Sequence, residues 1–245
     1  MTDALCRLGT KALLQEMRMD VLANNLANIN TAGFKGDKFG LALPPSEDSG
    51  YGADRPMGGR LPFEISTVVD FSPGTLKATE NPLDVALSGE GLFCVENPLG
   101  ETLYTRKGRF ALNGEGEIVT QDGWPVMGQG GRMRVEGTEI MIEEDGSLFV
   151  DGARVDRFRI VRFESPELLE KAGDTVFRAS EGMDPKVEAD EADIRQGFIE
   201  LSNVDAIRMM TEMIETVRGY ESYQKMMQVL DQITTRSTEE VGRIS

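Results

Sequence analysis

Ser222 and Lys225 stand three residues apart, the Ser-x-x-Lys spacing with which serine acyl-transferases set a lysine one helical turn from a nucleophilic hydroxyl. The companion Ser-Asp-Asn and Lys-Thr-Gly elements are missing from the sequence, and the match falls on a long helical pattern, which favours a solvated helix face. Glu143, Glu144, Asp145, Asp151 and Asp156 offer the oxygen ligands a hard cation wants, but not at the spacing of a twelve-residue calcium loop. Acidic strand ends and hairpin tips account for them better. Glycine pairs at Gly89/Gly91, Gly114/Gly116 and Gly128/Gly130 begin a nucleotide-binding fingerprint, yet none has the further glycine three residues on. Acidic Glu90 and Glu115 would repel a pyrophosphate, so turns between strands are expected at these places. Histidine is absent, which removes Ser-His-Asp and Cys-His nucleophilic chemistry and the commoner His-containing zinc sites. Cys6 and Cys94 are the only thiols, and nothing in their spacing argues for a disulfide. No catalytic, cofactor-binding or metal-ligating residue is therefore expected.

The charge balance narrows the partners. With 42 acidic against 26 basic residues, the formal charge of -16 repels phosphate backbones and anionic lipid headgroups alike. Neither nucleic acid binding nor direct membrane insertion is expected. Asp3, Arg7, Lys11, Glu16, Arg18 and Asp20 interrupt any apolar segment near the start, so no cleavable signal peptide is recognised. Nor does any uncharged apolar stretch approach the roughly 20 residues that span a bilayer.

The elements around these residues differ along the chain. Leu5, Leu8, Ala12, Met19, Leu22, Leu26 and Ile29 step by threes and fours, broken only at Gln15, which predicts an amphipathic helix with a heptad seam. It should stop where Asn30 to Gly33 supply turn chemistry. Residues 36 to 75 carry so many glycines and prolines that an extended connector is expected, with one short strand over Phe63 to Phe71. From 76 to about 180, short β-type runs separated by turns predict an antiparallel β domain. These runs are 85–87, 92–95, 102–106, 109–112, 117–120, 132–135, 139–142, 147–150 and 156–163. Asp122-Gly123, Asp145-Gly146 and Asp151-Gly152 sit where hairpin turns belong. A second long helix follows, with Ser202 or Asn203 as its N-cap and an apolar series at Ile207, Met210, Ile214, Val217, Tyr220, Tyr223, Met227, Leu230 and Ile233. On periodicity alone the two seams could equally pack within one globular core. Their placement at opposite ends of the chain favours completion by partner copies.

Val21 to Lys35, VLANNLANINTAGFK, resembles the N-terminal signature of the flagellar rod and hook family over consecutive positions. Thr79 to Phe93, TENPLDVALSGEGLF, is similar to a second hallmark of that family, followed by Tyr104 to Phe110 and Asp122 to Gly128. A third is resembled by Gln196 to Asp205, QGFIELSNVD, with Met213-Ile214 and Arg218 to Glu221 after it.

The resemblance implies an α+β fold whose N- and C-terminal helices form a coiled-coil domain lining an axial tube, with a central antiparallel β-rich domain outside it. The implied segments are a first helix at 1–34, a connector at 35–75, a β-rich domain at 76–200 and a second helix at 201–245. It further implies a non-enzymatic structural subunit of the bacterial flagellar basal-body rod, without cofactor. Such a subunit assembles axially with copies of itself and other rod proteins to transmit torque. It leaves the cytoplasm through the flagellar type III export apparatus and resides outside the cytoplasmic membrane. The length leaves no room for the added outer domain of hook proteins, and the connector departs from the longer stretch of distal rod members, so a proximal rod position is favoured. A small acidic ligand- or metal-binding β-domain protein or enzyme is the competing expectation. The expected assembly residues are Leu5, Leu8, Ala12, Met19, Leu22, Leu26 and Ile29 on the first helix, and Ile207, Met210, Ile214, Val217, Tyr220, Met227, Leu230 and Ile233 on the second. Asn24, Asn25 and Asn28 join them as register-fixing amides or as helix-stop residues, with Gly33 as the turn and Phe34 as the anchor that lead into the connector.

Overall fold

Two helices bracket a succession of short strands in the computed structural model, which describes residues 2–42, 64–180, 182–183, 185–187 and 193–242. Helix α1 spans Thr2–Ala27 and helix α2 spans Ala206–Gly242. The fold is α+β, with a β-rich middle and a helix toward each end. Two units are distinguished: a helical unit of Met1–Leu26, Asp37–Val68 and Asp205–Ser245, and a β unit of Ala27–Gly36 and Val69–Val204.

The β unit is organised around a six-stranded antiparallel sheet. Its strand order is Glu170–Lys171, Val176–Arg178, Thr102–Thr105, Leu92–Glu96, Ile160–Arg162 and Lys186–Val187. Leu92–Val95 reads as a continuous apolar run because both faces of this sheet are covered. Phe93 and Val95 point into one core with Leu103, Phe110, Ile118, Val126, Met133, Leu148 and Phe158. Leu92 and Cys94 point the other way, into a second core with Tyr104, Val161, Phe163, Leu169 and Phe177. Phe93 meets Phe110 edge-on at 5.3 Å between ring centroids and Phe158 at 5.8 Å, the arrangement aromatic quadrupoles prefer.

A three-stranded antiparallel sheet of Ile140–Ile142, Ser147–Val150 and Ala153–Arg157 adjoins it in sequence. Val150 pairs with Ala153 across a two-residue turn in which Asp151 (φ 50°) and Gly152 (φ 81°) both take positive φ, as a type I′ hairpin demands. Two strands stand where one was expected over Asp156 to Phe163. Phe158 and Arg159 leave the three-stranded sheet, and Ile160–Arg162 joins the six-stranded one. Phe158, apolar and buried at the crossover, joined the two strands into one apparent run and hid the change of partner.

Further antiparallel pairs join Val85–Ser88 to Asp193–Gln196, Leu76–Ala78 to Phe198–Glu200, and Phe110–Leu112 to Ile118–Thr120. Within the expected connector, Asp37–Ala42 and Glu64–Val69 are strands that pair with each other. Residues 43–63, and with them the expected strand's first residue Phe63, lie outside the described residues.

The cap of α2 differs from expectation. Asp205 accepts hydrogen bonds from the amides of Ile207 (2.9 Å) and Arg208 (3.1 Å), which makes it the N-cap. Asn203 cannot serve, because its side chain is engaged elsewhere in the β unit: its Oδ1 accepts from Gly36 N at 2.9 Å and its Nδ2 donates to Asp70 O at 2.7 Å.

Phe93 is fully buried at the junction of three aromatic rings. Phe93→Ala should lower the unfolding free energy of the β unit by about 3–5 kcal/mol, read as a shift in urea midpoint without change in slope. Gly108→Ala should be at least as damaging, because a Cβ there would lie 1.6 Å from the Val85 carbonyl oxygen.

Candidate functional site

Along α2, Met209, Met213, Thr216, Tyr220, Tyr223, Met227, Leu230 and Thr234 recur every three or four residues, and each is buried or half-buried. This face meets α1. Lys11 Nζ lies over the Tyr223 ring at 6.0 Å, Gln15 packs on Gly219, and Arg18 pairs with Glu212 at 3.5 Å. Rising numbers on α1 meet falling numbers on α2, so the helices run antiparallel. Gln15, the residue that breaks the seam, places its amide oxygen in a buried position without a hydrogen-bond partner. Glycine opposite leaves the space the long side chain occupies.

The expected apolar series on α2 does not lie on one face. From Ile214 through Val217 and Tyr220 to Tyr223 it takes three consecutive steps of three residues. At 3.6 residues per turn each such step falls about 60° short of a full turn, so the series rolls through about 180°. Tyr220, Tyr223, Met227 and Leu230 face α1, whereas Ile207, Met210 and Ile214 are exposed at 80%, 51% and 55%. Val217 is half-buried, and Val229 and Ile233 extend the exposed apolar surface toward the C-terminal end. On α1, Ala12 and Leu22 are buried and Leu8, Met19, Leu26 and, just after it, Ile29 are half-buried. The side chain of Leu5 lies outside the described residues.

The expected asparagine and anchor residues make contacts inside the chain. Asn25 is buried and pairs reciprocally with the Asp37 backbone, donating to its carbonyl and accepting from its amide, both at 2.8 Å. Asn28 accepts from the Thr31 hydroxyl at 3.1 Å, closing the turn after α1, while Asn24 is exposed. Gly33 takes φ +70° with the Lys107 backbone so close that a Cβ would lie 2.4 Å from its nitrogen. Phe34 is 1% exposed, its ring covered by Lys171 Nζ at 4.6 Å.

Beside this turn lies a group the sequence reasoning did not single out. The ammonium of Lys35 donates to Glu200 Oε1 at 2.8 Å and to Ser72 O at 2.7 Å. Arg106 donates through Nε to Glu200 Oε2 at 2.6 Å, and its terminal nitrogens donate to the carbonyls of Gly89, Gly91 and Leu87. Glu200 Oε1 also accepts from Gly74 N at 2.7 Å. All three charged residues are buried. The available signal was their membership of the three motif blocks, since Lys35, Arg106 and Glu200 come one from each. An open pocket of about 770 Å³ borders the group, lined also by Phe71, Leu92, Val161 and Phe163.

Burial alone would raise the Glu200 pKa, but Arg106 and Lys35 outweigh it and hold the carboxyl below its usual value. Lys35 is shifted the other way. Burial lowers its pKa, with Arg106 adding repulsion, and the Glu200 attraction only partly offsets this. The carboxylate sees two cations that together outweigh its burial, whereas for the ammonium burial and the Arg106 repulsion outweigh the attraction of Glu200 and Asp70. A carboxyl depressed on folding stabilises the fold above its unfolded pKa and loses that contribution as pH falls through its folded value. Urea denaturation across acidic pH should therefore show the gap between wild type and Glu200→Gln widest near neutrality and closing in acid.

The other chemical candidates have structural partners. Ser222 donates its hydroxyl to Arg218 O at 2.8 Å within the helix. Asp145 accepts from Ser147 N at 2.8 Å, Asp151 from Glu139 N at 2.9 Å and Asp156 from Gly130 N at 3.1 Å, so these carboxylates cap turns. Among the described residues no group of three or more His, Cys, Asp or Glu could hold a metal ion. Cys6 is exposed and Cys94 buried, both free thiols, with burial pushing the Cys94 pKa up to about 12. No helix among the described residues is long and apolar enough to cross a membrane.

Comparison with known proteins accounts for most of the chain. Residues 86–150 match the family model of the flagellar hook protein FlgE/F/G D1 domain, 195–239 that of the flagellar basal body rod FlgEFG protein C-terminal region, and 13–35 that of the flagella basal body rod protein. The flagellar basal-body rod protein FlgF of Caulobacter vibrioides is 33% identical over 93% of both chains. FlgF of Mesorhizobium japonicum is 30% identical over 93% of this chain and 92% of its own. FlgG of Bacillus subtilis is 30% identical over 89% of this chain and 91% of its own. The chain thus belongs to the family of flagellar hook and basal-body rod proteins, with FlgF-like proteins among its relatives.

Proposed function

We propose that the chain is a structural, non-catalytic subunit of the flagellar basal-body rod, assembling with copies of itself and with other rod proteins. The relatives are rod proteins rather than enzymes, which leaves the competing reading, a small acidic ligand- or metal-binding protein, without support. The observation that carries the assembly reading is the exposed apolar strip of Ile207, Met210 and Ile214. Each such side chain gains ~1.5–3 kcal/mol when fully buried, and α2 already meets α1 with another face.

On this reading α1 and α2 form a coiled-coil domain within one protomer, and the strip on α2 is covered by a neighbouring subunit. Asn25 ties the end of α1 to the Asp37 backbone, and Leu8, Ala12, Met19, Leu22, Leu26, Tyr220, Met227 and Leu230 form the intrachain seam. Axial stacking of such domains transmits torque. The segments proposed are 1–34 and 201–245 for the helical rod domain, within which α1 ends at Ala27 and α2 begins at Ala206, 35–75 for the connector and 76–200 for the β-rich domain. Delivery to a rod outside the cytoplasmic membrane goes through the flagellar export apparatus.

The two helix faces should respond differently to charge. Ile214→Asp, on the exposed strip, should leave the monomer's thermal melt within about 0.5 kcal/mol of wild type yet abolish incorporation into rods and swimming. Leu22→Asp, at a buried position, should broaden the loss of helical circular dichroism already in the monomer. Normal motility of an Ile214→Asp strain would refute the assembly role of the strip.

A further inference from the structure

The stretch that follows α1 and the stretch that leads into α2 hold one another across more than 160 residues of sequence. Gly33 N donates to Glu200 O at 2.8 Å, Lys35 Nζ to Glu200 Oε1 at 2.8 Å, and Gly36 N to the Asn203 side chain at 2.9 Å. Neither stretch satisfies its buried polar groups without the other. Lacking residues 198–204, Lys35 would keep only the Ser72 carbonyl, and Arg106 would lose its anion. Lacking residues 33–36, the Glu200 carboxylate would keep Arg106 and the Gly74 amide, while Asn203 would lose the amide it accepts from. Docking of 33–36 alone leaves two buried cations without their anion, and docking of 198–204 alone leaves the Glu200 carbonyl without the Gly33 amide and the Asn203 side-chain oxygen without the Gly36 amide, so each half-docked state is disfavoured, the first more strongly.

The seat is also sterically exacting. A Cβ on Gly33 would strike the Lys107 backbone, and one on Gly74 would lie 2.0 Å from Leu201 O. Glu200 itself sits on a strand paired with Leu76–Ala78, and Leu201 N donates to Thr75 O at 2.9 Å, which ties the carboxylate to the loop that also supplies Gly74 and Ser72.

We propose that Glu200 acts as a coincidence latch: residues 33–36 and 198–204 dock on the β unit only together. The segments continuing into both terminal helices are then ordered in a complete chain and released together when either contact set is lost. For a subunit whose helices are its assembly elements, a reading on which this consequence rests, the latch withholds an ordered α1 root until the far end of the chain has arrived.

Hydrogen exchange on the full-length monomer tests the coupling independently of assembly. In Glu200→Gln, the amides of Gly33, Gly36 and Gly74 should exchange faster together by about a hundredfold, while those of Phe93 and Val95 keep wild-type rates. Lys35→Met should in turn speed exchange at Leu201, on the opposite stretch. The double variant should accelerate exchange by less than the product of the single effects. Acceleration confined to the mutated stretch, or single effects that multiply, would overturn the latch. Should Glu200→Gln unfold the whole β unit, Asn203→Ala is read in its place: faster exchange at both Gly36 and Gly33 supports the coupling, and a change at Gly36 alone refutes it. A latch that fails this test leaves the helix-strip reading intact, and an Ile214→Asp strain that swims leaves the latch intact.

Discussion

Two cations share one carboxylate in the interior of the β unit, and much of the surrounding backbone is shaped by that requirement. A buried guanidinium must find acceptors for its remaining N–H groups. Arg106 finds them in the carbonyls of Leu87, Gly89 and Gly91, two of which stand at positive φ. The glycine pair whose spacing suggests a phosphate loop thus serves the opposite polarity. A phosphate loop turns N–H groups toward an anion, whereas this one turns carbonyls toward a cation. Such a site is weak evidence for net stability, since an apolar triad of equal volume would often serve as well. On the latch reading its value is specificity, since Lys35 and Arg106, 71 residues apart in the chain, meet at one carboxylate.

The helical unit rests on a different principle. Its intrachain seam is only half-buried along most of α2, with Thr216 the one residue of that seam in the buried class among those described. Two helices in contact cover one stripe on each, and α2 carries apolar side chains on a second. Polar insertions at Gln15 and Thr216 weaken the seam: the Gln15 amide oxygen is buried without a partner, and the Thr216 hydroxyl donates back to Glu212 O within its own helix. Together these features describe a pair of helices whose contact leaves much of their apolar surface uncovered.

Several features of this chain follow from local chemistry and needed no tertiary context. Charge excess, the absence of histidine and the heptad spacing of α1 depend on residue type and order alone. The Asp151-Gly152 turn was legible because positive φ is cheap only for a few residue types. Most strands of the β domain were visible through short apolar runs between turns. The 153–157 strand escaped because its residues are exposed or half-buried, and Phe158 joined two strands into one apparent run.

Tertiary structure alone decided three things. It decided which apolar residues of α2 face α1, because a spacing of three or four fits two overlapping stripes and only a partner helix selects one. Asn203 was decided in the same way, an acceptable N-cap by type that long-range contacts recruit elsewhere, leaving the role to Asp205. And it brought Lys35, Arg106 and Glu200 to one point. Charged residues carry no periodic signal of burial, and the partners that make burial tolerable lie 94 and 165 residues away along the chain.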